Sequence, residues 1–276
     1  MPEARGALPT LPPPEFVETG GARIAFYDYG APHGRPIVIC HGLAANALQF
    51  AADAEFFAAR GYRVLLPDLR GHGQSRAPMR ATFTDFALKA MAGDLLAMLD
   101  AAGLERVDWV GNSLGGIVAL AMIEQNAHRI RSFASFGTVY SMQTPRVFAG
   151  LAPLTYRIFG RRLVSWVAAR ATTRDPKARV LVEHILNTFD PGVLDPILTN
   201  LRSYDFREAA RRFPGRMLML RGGRDVAVNQ GLGPTLEAMR GRANFTLVEV
   251  PKGGHCANLD ATEAVRAALL AHLEAA

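Results

Sequence analysis

Three side chains of this sequence have the types and settings for covalent chemistry: the hydroxyl of Ser113, the carboxylate of Asp225 and the imidazole of His255. Ser113 lies in residues 107–116, VDWVGNSLGG, where a short apolar run breaks at Gly111-Asn112-Ser113-Leu114-Gly115 and an apolar, helix-compatible run follows. This is strand, sharp turn, helix, with a serine at the apex. So tight a turn forces the apical residue into strained backbone and leaves room only for hydrogen on the flanking residues. It pushes the hydroxyl clear of the backbone, opposite the positive end of the following helix. The pattern is the G-x-S-x-G nucleophile elbow. In a chain with 26 glycines five residues can match by chance, so the context decides.

A serine hydroxyl needs a base to take its proton, and the base needs an orienting carboxylate. His255 follows Gly253-Gly254 and Asp225 follows Gly222-Gly223, each after a strand-like run. The order Ser113, Asp225, His255 is the order expected for this elbow. Each alone has a plainer role, a surface-loop histidine or a turn aspartate; together these readings require a coincidence of order, placement and flanking glycines. A tetrahedral intermediate also needs N–H donors at its oxyanion. Leu114 is placed to supply one, and the loop after Cys40 the other, from Leu43 or else Ala44. His41, Asn112, Phe148 and Trp166 are expected to contact substrate. His72 lies in a turn and is expected to cap or bridge loops, and Asp68 to stabilise a turn. Cys40 reads as a packed apolar side chain. Nothing marks Cys256 as a nucleophile. The remaining histidines have no partner pattern, and no metal site or cofactor is expected.

These residues must be held by strands and helices that alternate. Residues 16–29 read as a hairpin around Thr19-Gly20-Gly21. Continuous apolar runs at 36–40 and 63–66 suit strands covered on both faces. Residues 51–59 and 86–102 read as helices, 131–137 as a strand. From 145 to 213 the periodicity is helical, broken by prolines. Strands return at 216–220 and 245–250, helices at 232–239 and 262–273, the last with Asp260 and Glu263 spaced as a capping box. Such alternation predicts a mostly parallel, doubly wound sheet, with ligands at the carboxyl ends of the strands. His41, Asp68, Ser113, Asp225 and His255 all fall at those ends.

The chain of 276 residues carries 31 Lys/Arg against 25 Asp/Glu. Residues 140–212 hold twelve basic and six acidic residues, so the excess of +6 lies in that segment. It could steer anionic esters or lactones toward a site. No nucleic-acid motif accompanies the arginines, and no apolar run reaches the roughly 18 residues of a membrane span. The first fifteen residues read as a disordered lead-in rather than a signal peptide. Two distant cysteines, with no export signal, make a reduced cytoplasmic protein the expectation.

With His41-Gly42, residues 67–75 (PDLRGHGQS), residues 111–116 (GNSLGG), Gly222-Gly223-Arg224-Asp225 and Gly253-Gly254-His255 in hand, the chain resembles the α/β-hydrolase superfamily from about Phe16 to its end. The resemblance implies an eight-stranded, mostly parallel sheet flanked by helices, a core of 16–139 and 213–276, and a helical cap of 140–212 inserted after the sixth strand. It implies no cofactor. Serine at 113 argues against haloalkane dehalogenases and epoxide hydrolases, which use aspartate there. Gly-Asn-Ser-x-Gly-Gly is similar to hydrolases that cleave carbon–carbon bonds of ring-fission products, but Cys256 stands where those usually carry an aromatic residue. The stretch 255–259, HCANL, resembles the enol-lactonase and small-esterase group, in which perhydrolase activity is also possible. The expected function is therefore a serine carboxylester hydrolase for small to medium esters or lactones. A carbon–carbon hydrolase of diketo acids and a low-turnover ligand receptor are the alternatives. Phe148, Leu151, Leu154, Tyr156, Phe159, Trp166 and Leu186 are candidates to line an acyl pocket, most of them being expected in the core of the cap itself.

Overall fold

A computed structural model describes residues 8–143 and 151–275 of the chain, the side chains of 151–154 excepted. The expected hairpin forms from β1 (Glu15–Thr19) and β2 (Ala22–Tyr29), turning through Gly20 and Gly21 at φ +53° and +74°. β3 (Arg35–Cys40), β4 (Tyr62–Pro67), β5 (Val107–Asn112) and β6 (Ile130–Phe136) follow. The chain then leaves the sheet for β7 (Ser141–Gln143) and β8 (Ser203–Asp205), which pair with each other, and returns as β9 (Arg216–Gly222) and β10 (Phe245–Val250). The eight-stranded sheet has the order β1-β2-β4-β3-β5-β6-β9-β10, antiparallel at its first two pairings and parallel at the rest.

The strands are apolar throughout because both faces are covered. Val38, Cys40 and Trp109 point into one layer, Ile37, Ile39 and Val110 into the other. α1 (Ala51–Ala58) packs on the second layer, while α2 (Leu88–Ala101) and α3 (Leu114–Asn126) pack on the first. Leu114 through Ile123 are all buried, so α3 is apolar all round and needs no polar face. Between β6 and β9 run α4 (Leu151–Thr172), broken at Gly160 with φ +75°, then α5 (Pro176–Thr188), α6 (Leu194–Leu201) and α7 (Arg207–Arg212). α8 (Val226–Gly231) and α9 (Gly233–Met239) follow β9; α10 (Ala257–Asp260) and α11 (Thr262–Glu274) close the chain. The loop after β4 is anchored by a buried ion pair: Arg70 donates to Asp94 at 2.6 and 2.8 Å.

Two sequence expectations change. The stretch 145–213 is not purely helical, since β8 lies within it; three residues are too few for alternation to register. The capping box does not form either. Ala261 is the N-cap of α11, without a side-chain bond, and Asp260 is used elsewhere.

Candidate active site

The parallel strands deliver their carboxyl ends to one edge, and the loops leaving β3, β5, β6, β9 and β10 carry Leu43, Ser113, Gly137, Asp225 and His255. Ser113 stands between β5 and α3 at φ +51° and ψ −117°, one of two non-glycine residues with positive φ among the described residues. The turn is locked by the Ser113 N–H donating to Phe136 O at 2.9 Å, and by Gly116 and Ile117 N–H donating to Ser113 O. The glycines are steric requirements. A Cβ on Gly111 would sit 2.5 Å from Gly116 Cα, and one on Gly115 would strike the Cys40 carbonyl.

Asp225 and His255 meet because their glycine pairs nest. A Cβ on Gly222 would lie 2.7 Å from Gly253 O, and one on Gly223 the same distance from Pro251 O. His255 Nδ1 then lies 3.0 Å from Oδ2 of the buried Asp225. A carboxylate accepts at this distance, so Nδ1 is the ring's donor to Asp225 and Nε2 is the nitrogen free of that bond. Ser113 and His255 line the same cavity, of about 720 Å³. No hydrogen bond joins the Ser113 hydroxyl to the imidazole among the described residues; such bonds commonly tighten only when substrate is bound.

Beside Ser113 the loop after β3 comes very close: a Cβ on Gly42 would lie 3.1 Å from Ser113 Cβ. The Ala44 N–H donates to His72 Nε2 at 3.2 Å, while the N–H groups of Leu43 and Leu114 have no protein acceptor among the described residues. Leu43 is thus better placed than Ala44 to serve an oxyanion. The loop is pinned by three buried groups. His41 Nε2 accepts from Leu69 N–H at 3.0 Å, His72 holds Ala44, and Asp68 accepts from Ala47 and Gln74 N–H, both at 2.8 Å. Burial, with the neighbouring His72, pushes the His41 pKa down to about 3, and burial pushes that of His72 down to about 4. Both rings are neutral at neutral pH, which their acceptor roles require. His72 therefore bridges loops, as the sequence suggested.

Of the four expected substrate contacts, His41 and Trp166 are placed otherwise and Phe148 lies outside the described residues. His41 is fully buried with both ring nitrogens engaged, Nδ1 donating to Gly42 O at 2.7 Å. Asn112 is buried and spent on the protein: Nδ2 donates to Phe136 O and His255 O, and Oδ1 accepts from Gln49 Nε2. His41 thus positions the site's loops, whereas Asn112 holds the His255 loop while also lining the smaller cavity. Trp166 is exposed, with Arg170 stacked 3.7 Å over its ring, and lines neither cavity beside Ser113. Phe148 lies outside the described residues, as do the side chains of Leu151 and Leu154. Of the other expected lining residues, Phe159 is exposed, Tyr156 lines neither cavity, and Leu186 does line the smaller one. The large cavity is walled instead by Met142, Leu198, Leu201, Tyr204 and Val228, with Arg202 and Arg207 at its rim. The smaller cavity, about 100 Å³, lies against Leu43, Ala44 and His255 under α4 and α5.

Sequence reasoning missed a buried relay behind the imidazole. Arg266 donates to Asp53 at 2.7 Å, Asn258 donates to Asp53 at 2.9 Å, Gln49 donates to Asn258 and Asn112, and Asn112 holds the His255 carbonyl at 3.0 Å. It also missed Asp260, which accepts from Gly254 N–H at 2.9 Å, from Thr173 Oγ1 and from Arg174 N–H, tying the His255 loop to the end of α4. The proximity of Asn258 and Asp260 to His255 was the available signal. Cys256 is buried and its thiol pushed up to about 12 by burial and nearby carboxylates, so it stays protonated.

Residues 35–178 match the family of the alpha/beta hydrolase fold, just over half the chain. The chain belongs to that family. It is 28% identical over 149 residues to bifunctional epoxide hydrolase 2 of Sus scrofa, covering 50% of this chain and 26% of that protein. It is 33% identical over 126 residues to 2-hydroxy-6-oxo-2,4-heptadienoate hydrolase of Pseudomonas putida, covering 45% of this chain and 44% of the other. The chain thus spans less than half the length of these relatives. The enol-lactonase structure from Burkholderia xenovorans LB400 superposes with a TM-score of 0.82 at 20% identity, covering 95% of this chain and all of that one. At that identity the likeness is one of fold.

Proposed function

We propose that this α/β-hydrolase is a serine carboxylester hydrolase acting on small to medium esters or lactones, within a core of 16–139 and 213–276 capped by 140–212. The observation that carries the reading is the placement of the His255 imidazole between a buried carboxylate and the cavity of Ser113. Nδ1 is held by that carboxylate, and the ring shares the cavity with a serine at a strained elbow. Ser113 Oγ attacks the acyl carbon while His255 Nε2 takes the hydroxyl proton. Asp225 keeps the ring in the required tautomer and balances the imidazolium. The Leu43 and Leu114 N–H groups receive the oxyanion. Collapse breaks the acyl–oxygen bond, and His255 returns its proton to the leaving alkoxide. Water then adds to the acyl-enzyme by the same relay, freeing the acid and the Ser113 hydroxyl. No step calls for a cofactor. The apolar walls of the large cavity suit an acyl chain, and the enol-lactonase likeness is consistent with a cyclic ester as substrate.

A second reading, a carbon–carbon hydrolase of diketo acids, draws on the 33% identical relative. A panel of p-nitrophenyl acetate, p-nitrophenyl butyrate, a lactone and a dienoic diketo acid separates the two. The ester reading expects turnover of the butyrate that falls by roughly 10³ or more in Ser113→Ala. Turnover confined to the diketo acid selects the second reading. Binding without turnover of any substrate contradicts both and selects a receptor.

A further inference from the structure

The outer face of α4 is built the wrong way round for a helix that ends at water. Its inward stripe carries small residues: Ser165 and Ala169 are buried, and Ala168 and Thr172 wall the small cavity. Its outward stripe carries Leu163, Trp166 and Val167, and Ile158 and Phe159 stand just before the break at Gly160; these five are 45–63% exposed. Positions 163, 166, 167 and 170 recur at helical spacing, so Leu163, Trp166, Val167 and Arg170 form one contiguous strip. Val180 on α5 is exposed as well. An apolar strip of this kind marks an interaction surface.

Its setting says what kind. Residues 157–180 carry seven basic side chains and a single acid, Asp175, whose carboxylate is engaged as the N-cap of α5. Arg170 stacks over Trp166, placing a cation beside an aromatic ring. A second copy docked on the same face would bring like charges together. An anionic surface meets both properties at once. No helix among the described residues is long and apolar enough to cross a membrane, so insertion would stop at the interface.

We propose that the outer face of α4 docks on anionic lipid bilayers, its apolar side chains entering the interface and its arginines lying over the phosphates. Docking would hold the small cavity beneath α4 at the boundary where apolar molecules concentrate. The binding does not depend on the proposed reaction.

Trp166 is one of two tryptophans, and the other, Trp109, is buried in the core. A change in intrinsic emission on vesicle binding therefore reports α4. The full chain is titrated with vesicles of phosphatidylglycerol mixed with phosphatidylcholine, and with phosphatidylcholine alone, at low and high salt. The expected result is a blue shift and co-sedimentation with the anionic vesicles only, weakened by salt. Leu163→Ser and Val167→Ser are each expected to weaken binding on the order of tenfold, with unchanged thermal unfolding in vesicle-free buffer showing that the fold is intact. Arg162→Glu is expected to do the same through charge. Equal binding to neutral vesicles, or no binding to either, overturns the proposal. A concentration-dependent dimer that Leu163→Ser abolishes also overturns it and assigns the face to a second copy.

Discussion

Gly137 offers a sharp test of geometry at the scale of a single residue. It sits at φ +60°, and a Cβ there would lie 3.1 Å from His255 Cε1 and 2.8 Å from Asn112 Nδ2. Gly137→Ala therefore strains the backbone by roughly 1–2 kcal/mol and crowds the imidazole. On the proposed reading kcat/KM falls by roughly 10²-fold, the scale of a misplacement near 1 Å, while the fold survives. Unchanged ester turnover would place the chemistry away from His255. Asn112→Ala removes the amide that holds the His255 carbonyl, and is expected to lower kcat with little change in KM. A change confined to KM would return Asn112 to the substrate. At this scale spacing singled out Ser113, Asp225 and His255, which the fold brings to one sheet edge, because each carries its glycines beside it. The same spacing misplaced His41, which is fully buried with both ring nitrogens engaged. Polar residues next to a nucleophile look like ligand contacts until the carbonyls and N–H groups that occupy them are seen, and those come from segments remote in sequence.

Among elements, the loop of His255 is joined to α4 through Asp260. The carboxylate accepts from Gly254 on one side and from Thr173 and Arg174 on the other. Asp260→Ala leaves buried donors unmet and is expected to cost about 1–3 kcal/mol, seen as a lower melting temperature. The same change loosens the His255 loop and lowers kcat. Asp260→Asn keeps one acceptor and should recover part of both. Loss of stability with full activity would make Asp260 a structural clamp alone. Long apolar runs flanked by glycines made β3, β5 and β9 legible before any coordinates. β7 and β8 were not, because three-residue strands exist only through each other. The spacing of Asp260 and Glu263 suggested a local cap; a partner some 87 positions away took the carboxylate instead.

For the whole molecule, stability should decline in mild acid, and the sign follows from the loop after β3. His41 and His72 titrate in the folded protein at about 3 and about 4, below the ordinary histidine value. Between pH 6.5 and 4 the unfolded chain therefore binds protons that the folded one refuses, so their contribution is complete above pH 6.5 and lost as pH falls. Asp68 acts oppositely: burial lifts it to about 6, so the folded state takes its proton first and offsets one histidine between about pH 6 and 4. Among these three groups the net is one proton, on the order of 1.4 kcal/mol per pH unit; His272, pushed down to about 4 by burial, adds to the decline, and Asp53 and Asp94, raised by burial, oppose it. Melting temperatures measured from pH 7 to 4 should fall monotonically. A flat or rising profile would mean that these histidines are not buried as neutral acceptors.

Labelling with a fluorophosphonate, followed by peptide mass analysis, addresses the nucleophile itself. The expected result is one adduct per chain, on Ser113 within the tryptic peptide 107–129, formed in step with the loss of ester turnover and strongly slowed in Asp225→Asn. Full loss of turnover with the adduct on another residue, or turnover that persists once Ser113 is blocked, would contradict the account.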